Sequence, residues 1–325
     1  MNRWPTGPAR SPAARRRLAA GMRLSTLALV VALLVCGCGS SGGSAPGGSP
    51  AAGEPSTAAS ATATTAAAAA AAPCPRGAPA APARVPGAPL DTILRVPSSA
   101  RGHRAPLVLA LHFAGGTGAE FERTTRLTPQ ARRDGFVVAY PTASANHFWG
   151  AAQDGDALAR TLDAIERVAC IDPARVSVVG NSNGGFMATV LACRMADRIA
   201  AVALFAPGLG AGDCRPSRPV SVLEIHGTAD PIVPYRSNDP AGDIFTFVTG
   251  WARRDGCAAT QPRTVRVSAT VTRFTWRGCP AGTRVEHLRL TGGHHIELLP
   301  QLRAAGVDPA AEAWRFLARA RLPAR

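Results

Sequence analysis

Apolar residues gather in short, unbroken runs along the second two thirds of the chain. Residues 106–112 (PLVLALH), 136–140, 175–179, 200–205 and 220–225 are such runs. Continuous runs of this length, rich in Val, Leu and Ile, predict strands buried on both faces. Residues 90–96 read as a leading strand, and further strands fall between residues 265 and 290. Helical spacing appears between the runs, at about residues 119–133, 156–168, 186–195, 244–254 and 309–320. In the second of these, Leu158, Leu162, Ile165 and Val168 share one face. Strands alternating with helices predict an α/β fold: a mostly parallel central sheet with helices on both faces.

The first 88 residues lack this pattern. Arg10, Arg15, Arg16, Arg17 and Arg23 lead into an apolar run at residues 27–35. That run is too short for a transmembrane helix, which needs about 20 apolar residues, and suits a signal peptide. It ends in Val35-Cys36-Gly37-Cys38, which resembles a bacterial lipobox. Residues 1–38 are therefore expected to be a signal peptide, with Cys38 lipidated after cleavage. Cys36 is the alternative, although Val35 is bulky for the position before a cut. Residues 39–88, nearly all Gly, Ser, Ala, Thr and Pro, are expected to be a tether, and residues 89–325 the catalytic domain. The mature protein would lie outside the cytoplasm and touch the membrane through its lipid anchor only.

Composition changes this picture little. The net charge is +15, and all 36 basic residues are arginine. Six of them lie at or before Arg23, and no element carries a dense basic stripe with interleaved aromatics. A nucleic-acid partner is not expected. Six cysteines remain after Cys36 and Cys38, an even number that suits disulfides in an exported protein. None has the CxxC spacing of a zinc site, and no metal is expected. Cys257–Cys279 would flank a β-rich stretch, Cys193–Cys214 would close a short loop, and Cys74–Cys170 would remain.

Gly180-Asn181-Ser182-Asn183-Gly184 fits the GxSxG pattern, and so does Gly39-Ser40-Ser41-Gly42-Gly43. The second lies in the tether, without a strand before it or a helix after it. Ser182 has both, as a nucleophile at a strand-to-helix corner requires. The helix behind it would aim its N-terminal dipole at a developing oxyanion. Chain order then calls for an acid and a histidine. Asp230 follows the apolar run 220–225 in His226-Gly227-Thr228-Ala229-Asp230, at the strand end where sites in parallel sheets gather. Asp213 and Asp243 are weaker rivals, since neither directly follows a buried strand. After the last strand comes Thr291-Gly292-Gly293-His294-His295, with His294 as the expected base and His295 as its rival. His226 is expected to pack beside the acid loop. The oxyanion donors are expected to be the backbone N–H of Asn183 and of Ala114, with Phe113 the rival for the second.

In order along the chain, Leu111-His112 with Gly115-Gly116, Cys170-Ile171-Asp172-Pro173, Asn181-Ser182-Asn183-Gly184-Gly185, His226-Gly227-Thr228-Ala229-Asp230 and Gly292-Gly293-His294 form a series. The series resembles the secreted polyhydroxybutyrate depolymerase and feruloyl-esterase-like group of α/β-hydrolases. The resemblance implies cofactor-free hydrolysis of carboxylic esters, with Ser182, Asp230 and His294 as triad. Two positions depart from the group: Phe113 stands where a glycine is usual, and Ile296-Glu297 follow where a Trp-Pro pair is common. Phe113 and Trp149, beside Phe148, are candidates to line the substrate pocket. A serine peptidase and a catalytically inactive surface-binding lipoprotein are the competing readings.

Overall fold

The computed structural model describes residues 83–209, 214–236 and 243–323. The signal peptide, Cys38, Cys74, Asp213 and the tether up to residue 82 lie outside the described residues.

Among the described residues ten strands form one sheet: β1 (Ala83–Arg84), β2 (Thr92–Arg95), β3 (Ala105–Leu111), β4 (Val137–Pro141), β5 (Ile171–Asn181), β6 (Ala201–Phe205), β7 (Ser221–Gly227), β8 (Arg263–Arg266), β9 (Val271–Trp276) and β10 (Val285–Leu290). Their spatial order is β1-β2-β4-β3-β5-β6-β7-β10-β9-β8. The six central strands from β4 to β10 are parallel, and the strands outside them pair antiparallel. The predicted strands thus form the expected sheet. The near-complete burial of β3, β4, β6 and β7 explains the unbroken apolar runs, because helices cover both faces.

Successive strand residues feed two separate cores. Leu107, Leu109, Val178, Leu204 and Val222 face one side. There they meet Leu162 of α3 (Ala151–Val168), Met187 of α4 (Asn183–Arg194) and Trp251 of α5 (Ile244–Arg254). Val108, Val179, Ala203 and Ile225 face the other side. They meet Phe121 of α1 (Gly118–Thr125), Leu127 of α2 (Leu127–Asp134), Leu302 of α6 (Leu298–Ala304) and Phe316 of α7 (Pro309–Leu317).

Four differences from the sequence reading have local causes. The helix expected over 119–133 is two helices, broken at Arg126, which is left-handed at φ 62°. Just before the break the Thr125 hydroxyl donates to the Phe121 carbonyl at 2.7 Å, a side chain competing with the helical ladder. Helix α3 starts at Ala151, because the buried Asp154 carboxylate accepts the N–H groups of Gly150 and Ser144 and organises that turn. α6, which carries a residue of the site, was not foreseen. Finally, β1 and the buried Val85 lie in the stretch 83–88 assigned to the tether.

Cys193–Cys214 and Cys257–Cys279 are disulfides, as expected. The first ties the end of α4 to the chain that leads into β7. Cys170 is also disulfide-bonded.

Candidate active site

Between β5 and α4 the chain turns at Ser182, with φ 53° and ψ −115°. A side chain other than glycine rarely adopts this conformation, and it persists only where the surroundings impose it. Here they do. The Ser182 N–H donates to the Phe205 carbonyl of β6 at 2.9 Å, and the Asn181 amide donates to the same oxygen at 2.9 Å. The Ser182 carbonyl accepts from Phe186 and Gly208, both at 3.0 Å. Glycine is required on both sides. A Cβ on Gly180 would overlap the backbone of Gly184, and one on Gly184 would overlap the carbonyl oxygens of Leu111 and His112. The end of β3 therefore abuts the start of α4, and residues 112–116 lie beside Ser182.

Oγ of Ser182 lies 2.8 Å from Nε2 of His295, and Nδ1 of His295 lies 2.6 Å from Oδ2 of Asp230. The structure thus brings Ser182 and Asp230 together as expected but joins them through His295, not His294. The His294 side chain is exposed, and its backbone N–H donates to Oε1 of Gln301 in α6 at 2.8 Å. The cause is the turn that precedes it. Gly292 is left-handed at φ 76°, and the Gly293 backbone packs directly on Gly227, accepting the Ala229 N–H at 2.9 Å. That contact, with the Gln301 bond, turns the first histidine outward and the second inward. The rival acid Asp243 caps α5, accepting the Thr246 N–H at 2.9 Å.

Asp230 is held on all sides. Its Oδ1 accepts the backbone N–H groups of Ile232 and Val233, both at 2.8 Å. Its Oδ2 is shared between His295 and Nε2 of His226, the latter at 3.1 Å. Burial pushes the carboxyl up. The bonds from His226, Val233, His295 and Ile232 outweigh burial and hold it well below the usual carboxylate range. Behind it, Nδ1 of His226 donates to Oε1 of Glu224 at 2.8 Å. Oε2 of Glu224 accepts from Nδ1 of His287 at 2.5 Å, and the Tyr235 hydroxyl meets Nε2 of His287 at 2.8 Å. Glu224, His226 and His287 are all fully buried. Sequence reasoning placed His226 beside the acid loop but missed Glu224, His287 and Tyr235. Glu224 carried a signal: a lone carboxylate inside a buried apolar strand needs a charged partner.

A second cluster fixes the other side of Ser182. The Asn183 side chain accepts from the Trp149 N–H at 2.7 Å and donates to the Trp149 carbonyl at 3.1 Å. The Trp149 indole donates to the His112 carbonyl at 2.8 Å. Trp149 is fully buried, so it ties the Ser182 turn to the end of β3 and does not line a pocket. The expected pocket role does not fit, because its two backbone groups and its indole N–H are used for this tie. The neighbouring Phe148 is exposed, as are Ile232 beside Asp230 and Ile296 beside His295. Phe113 is half-buried, with its ring against Gly116. A cleft of about 420 Å³ opens beside Asp230, lined by Thr228, Tyr235, Arg236 and Arg289 among others. Among the described residues no group of three or more His, Cys, Asp or Glu is placed to hold a metal ion.

Comparison with known proteins bears on this geometry. A family profile described as alpha/beta hydrolase fold matches residues 113–258. An acetyl xylan esterase from Aspergillus awamori superposes with a TM-score of 0.53 at 15% identity, over 70% of this chain and 97% of that one. The fold is that of the α/β-hydrolases. Among curated proteins, feruloyl esterase B of Piromyces equi is 29% identical over 229 residues, 63% of this chain and 42% of that protein. A bifunctional acetylxylan esterase/xylanase of Neocallimastix patriciarum is 27% identical over 219 residues, 64% of this chain and 31% of that protein. This chain thus spans less than half the length of either relative.

Proposed function

We propose that this α/β-hydrolase is a serine carboxylesterase in which Ser182, His295 and Asp230 form the catalytic triad. The observation that carries the reading is the unbroken hydrogen-bonded series from Oγ of Ser182 through both ring nitrogens of His295 to Oδ2 of Asp230. In this reading Nε2 of His295 takes the Ser182 proton as Oγ attacks the ester carbonyl carbon. The C–O bond to the alcohol then breaks, and the imidazolium returns the proton to the leaving oxygen. Water repeats the sequence on the acyl-enzyme and releases the acid. Asp230 keeps the proton on Nδ1 and stabilises the imidazolium.

The backbone N–H groups of Asn183 and Ala114 are the proposed oxyanion donors, each worth about 3 kcal/mol in the transition state. Asn183 opens α4, so the helix dipole adds to its N–H. Phe113 and the exposed Phe148 are the side chains we propose to meet an aromatic or apolar part of the ester. The likeness to a feruloyl esterase and to an acetylxylan esterase favours feruloyl or acetyl esters, with hydroxyalkanoate esters as the other candidate. The disulfides suit an exported protein, and we place it outside the cytoplasm, anchored through lipid on Cys38.

The test is hydrolysis of short aryl esters by the purified protein beside Ser182→Ala, together with labelling by a fluorophosphonate probe. The reading requires that the substitution abolish both. Equal turnover in the two proteins would remove Ser182 as nucleophile. A panel of feruloyl, acetyl-sugar and hydroxyalkanoate esters then ranks the substrate classes by kcat/KM.

A further inference from the structure

We propose that His226 is a positioning residue: a buried imidazolium, clamped between Glu224 and Asp230, that fixes the acid of the triad and sets the net charge seen by His295. The proposal rests on the reading of Ser182, His295 and Asp230 as the triad and adds a second layer behind it.

The proton count follows from the neighbours. Nδ1 of His226 faces Oε1 of Glu224 at 2.8 Å. Nε2 faces the Val233 carbonyl at 2.9 Å and Oδ2 of Asp230 at 3.1 Å. All three are acceptors. A neutral imidazole would point one nitrogen lone pair at an oxygen lone pair, whereas the imidazolium donates from both sides. His287 differs. Its Nε2 meets a hydroxyl, Tyr235, which can donate, so a neutral ring satisfies that site with its proton on Nδ1 towards Glu224. Burial pulls the His226 ring down, but its bonds to Asp230 and Glu224 and the charge of Glu224 outweigh this and push it up to about 9.

The layer then carries one positive and two negative charges, all taken out of water. Glu224 cancels His226, so Asp230 presents close to one full negative charge to His295. The shared Oδ2 gives the carboxylate a fourth donor, on the side opposite its two backbone donors, and this opposes its rotation away from His295. Other groups near His226 come from each adjoining element. Arg289 is its register partner on β10, and His287 lies on the same strand beside Glu224. The Tyr235 ring meets His226 edge-on from the acid loop, with Arg236 and Asp243 nearby. None of these bonds the His226 ring.

The two members of the clamp carry opposite charges, so removing them should move His295 in opposite directions. The measurement is the pH titration of the His295 ring protons by NMR in the full-length protein, read beside the acidic limb of kcat/KM. With His226→Gln a positive charge is lost, and both midpoints should rise by about 1 pH unit. With Glu224→Gln a negative charge is lost, and both should fall by a similar amount. The double substitution removes both charges and should return the midpoints to the wild-type position. It also leaves the net charge of the layer unchanged, so it keeps the test open should His226→Gln not fold. Midpoints that stay put in the single variants, or move the same way in both, would overturn the proposal, since a merely structural role predicts no opposition of sign. The NMR titration needs no turnover. A protein inactive on every ester would refute the proposed function and leave this result readable.

Discussion

His294 and His295 are neighbours in the chain but point to opposite sides of one turn. His295 bonds Ser182 at 2.8 Å, and His294 stands in solvent. His295→Ala should therefore lower kcat/KM on a short aryl ester by about 10⁴-fold. His294→Ala should change it by no more than a few-fold. Steady-state kinetics on the two purified variants decide the matter, and a reversed order would reinstate His294.

The Asn183 side chain serves a different end from its backbone N–H. It grips both backbone groups of Trp149 and so ties the Ser182 turn to the segment that leads into α3. Asn183→Ala keeps the proposed oxyanion donor but releases that segment. We expect kcat to fall about tenfold, because small misplacements of catalytic groups weaken the transition state. Stability should fall by roughly 1–3 kcal/mol, because the Trp149 N–H and carbonyl lose their partners. Thermal melts and kinetics on one preparation separate the two effects.

At Gly184 a methyl group would collide with two backbone carbonyl oxygens at the end of β3. Neither can move without disturbing the sheet. Gly184→Ala should therefore cost about 3 kcal/mol or more, at the upper end for overpacking. Gly208→Ala is the control. Its new methyl would sit 3.4 Å from Cβ of Phe186, an ordinary contact, and should change stability by less than about 1 kcal/mol. Chemical denaturation of the pair measures the contrast.

Asp255 caps the C-terminus of α5, fully buried, with Oδ1 accepting the Val220 N–H at 3.1 Å. Burial pushes its carboxyl up to about 7, against the Val220 bond and the charges of Arg218 and Arg254. Its folded form holds a proton that the unfolded chain releases near pH 4. Between about pH 4 and 7 the folded state therefore binds more protons, and stability contributed by this group falls as pH rises, by up to about 1.4 kcal/mol per pH unit. Asp255→Asn should flatten that slope and gain on the wild type from pH 5 to pH 8. Melting midpoints across that range test it, and a constant offset between the two proteins would count against it.

The strands were legible because burial on both faces writes them as unbroken apolar runs. Ser182 was legible because its strand, turn and helix are contiguous. Asp230 was legible because it follows a buried strand by a few residues. The choice between His294 and His295 was not, since it depends on Gln301 in a later helix and on Gly293 packing against Gly227. Glu224 and His287 meet only through the register of β7 with β10, and no local pattern encodes that pairing. Trp149 misled for a related reason: nothing in its neighbourhood shows that Asn183, 34 positions later, claims its backbone.

Among the described residues the sheet ends on one side in β8, whose four residues are all exposed and which pairs there only with β9. Such an edge offers free backbone donors and acceptors to any passing strand, and Val265 and Val267 add an apolar lure. Arg263 and Arg266 flank Val265 on that edge. A second copy docking in register would bring like charges together, so the arginines act as gatekeepers. Part of the heavy arginine content of this chain thus sets a charge barrier along the strand edge that would otherwise be the readiest to pair with a copy of itself.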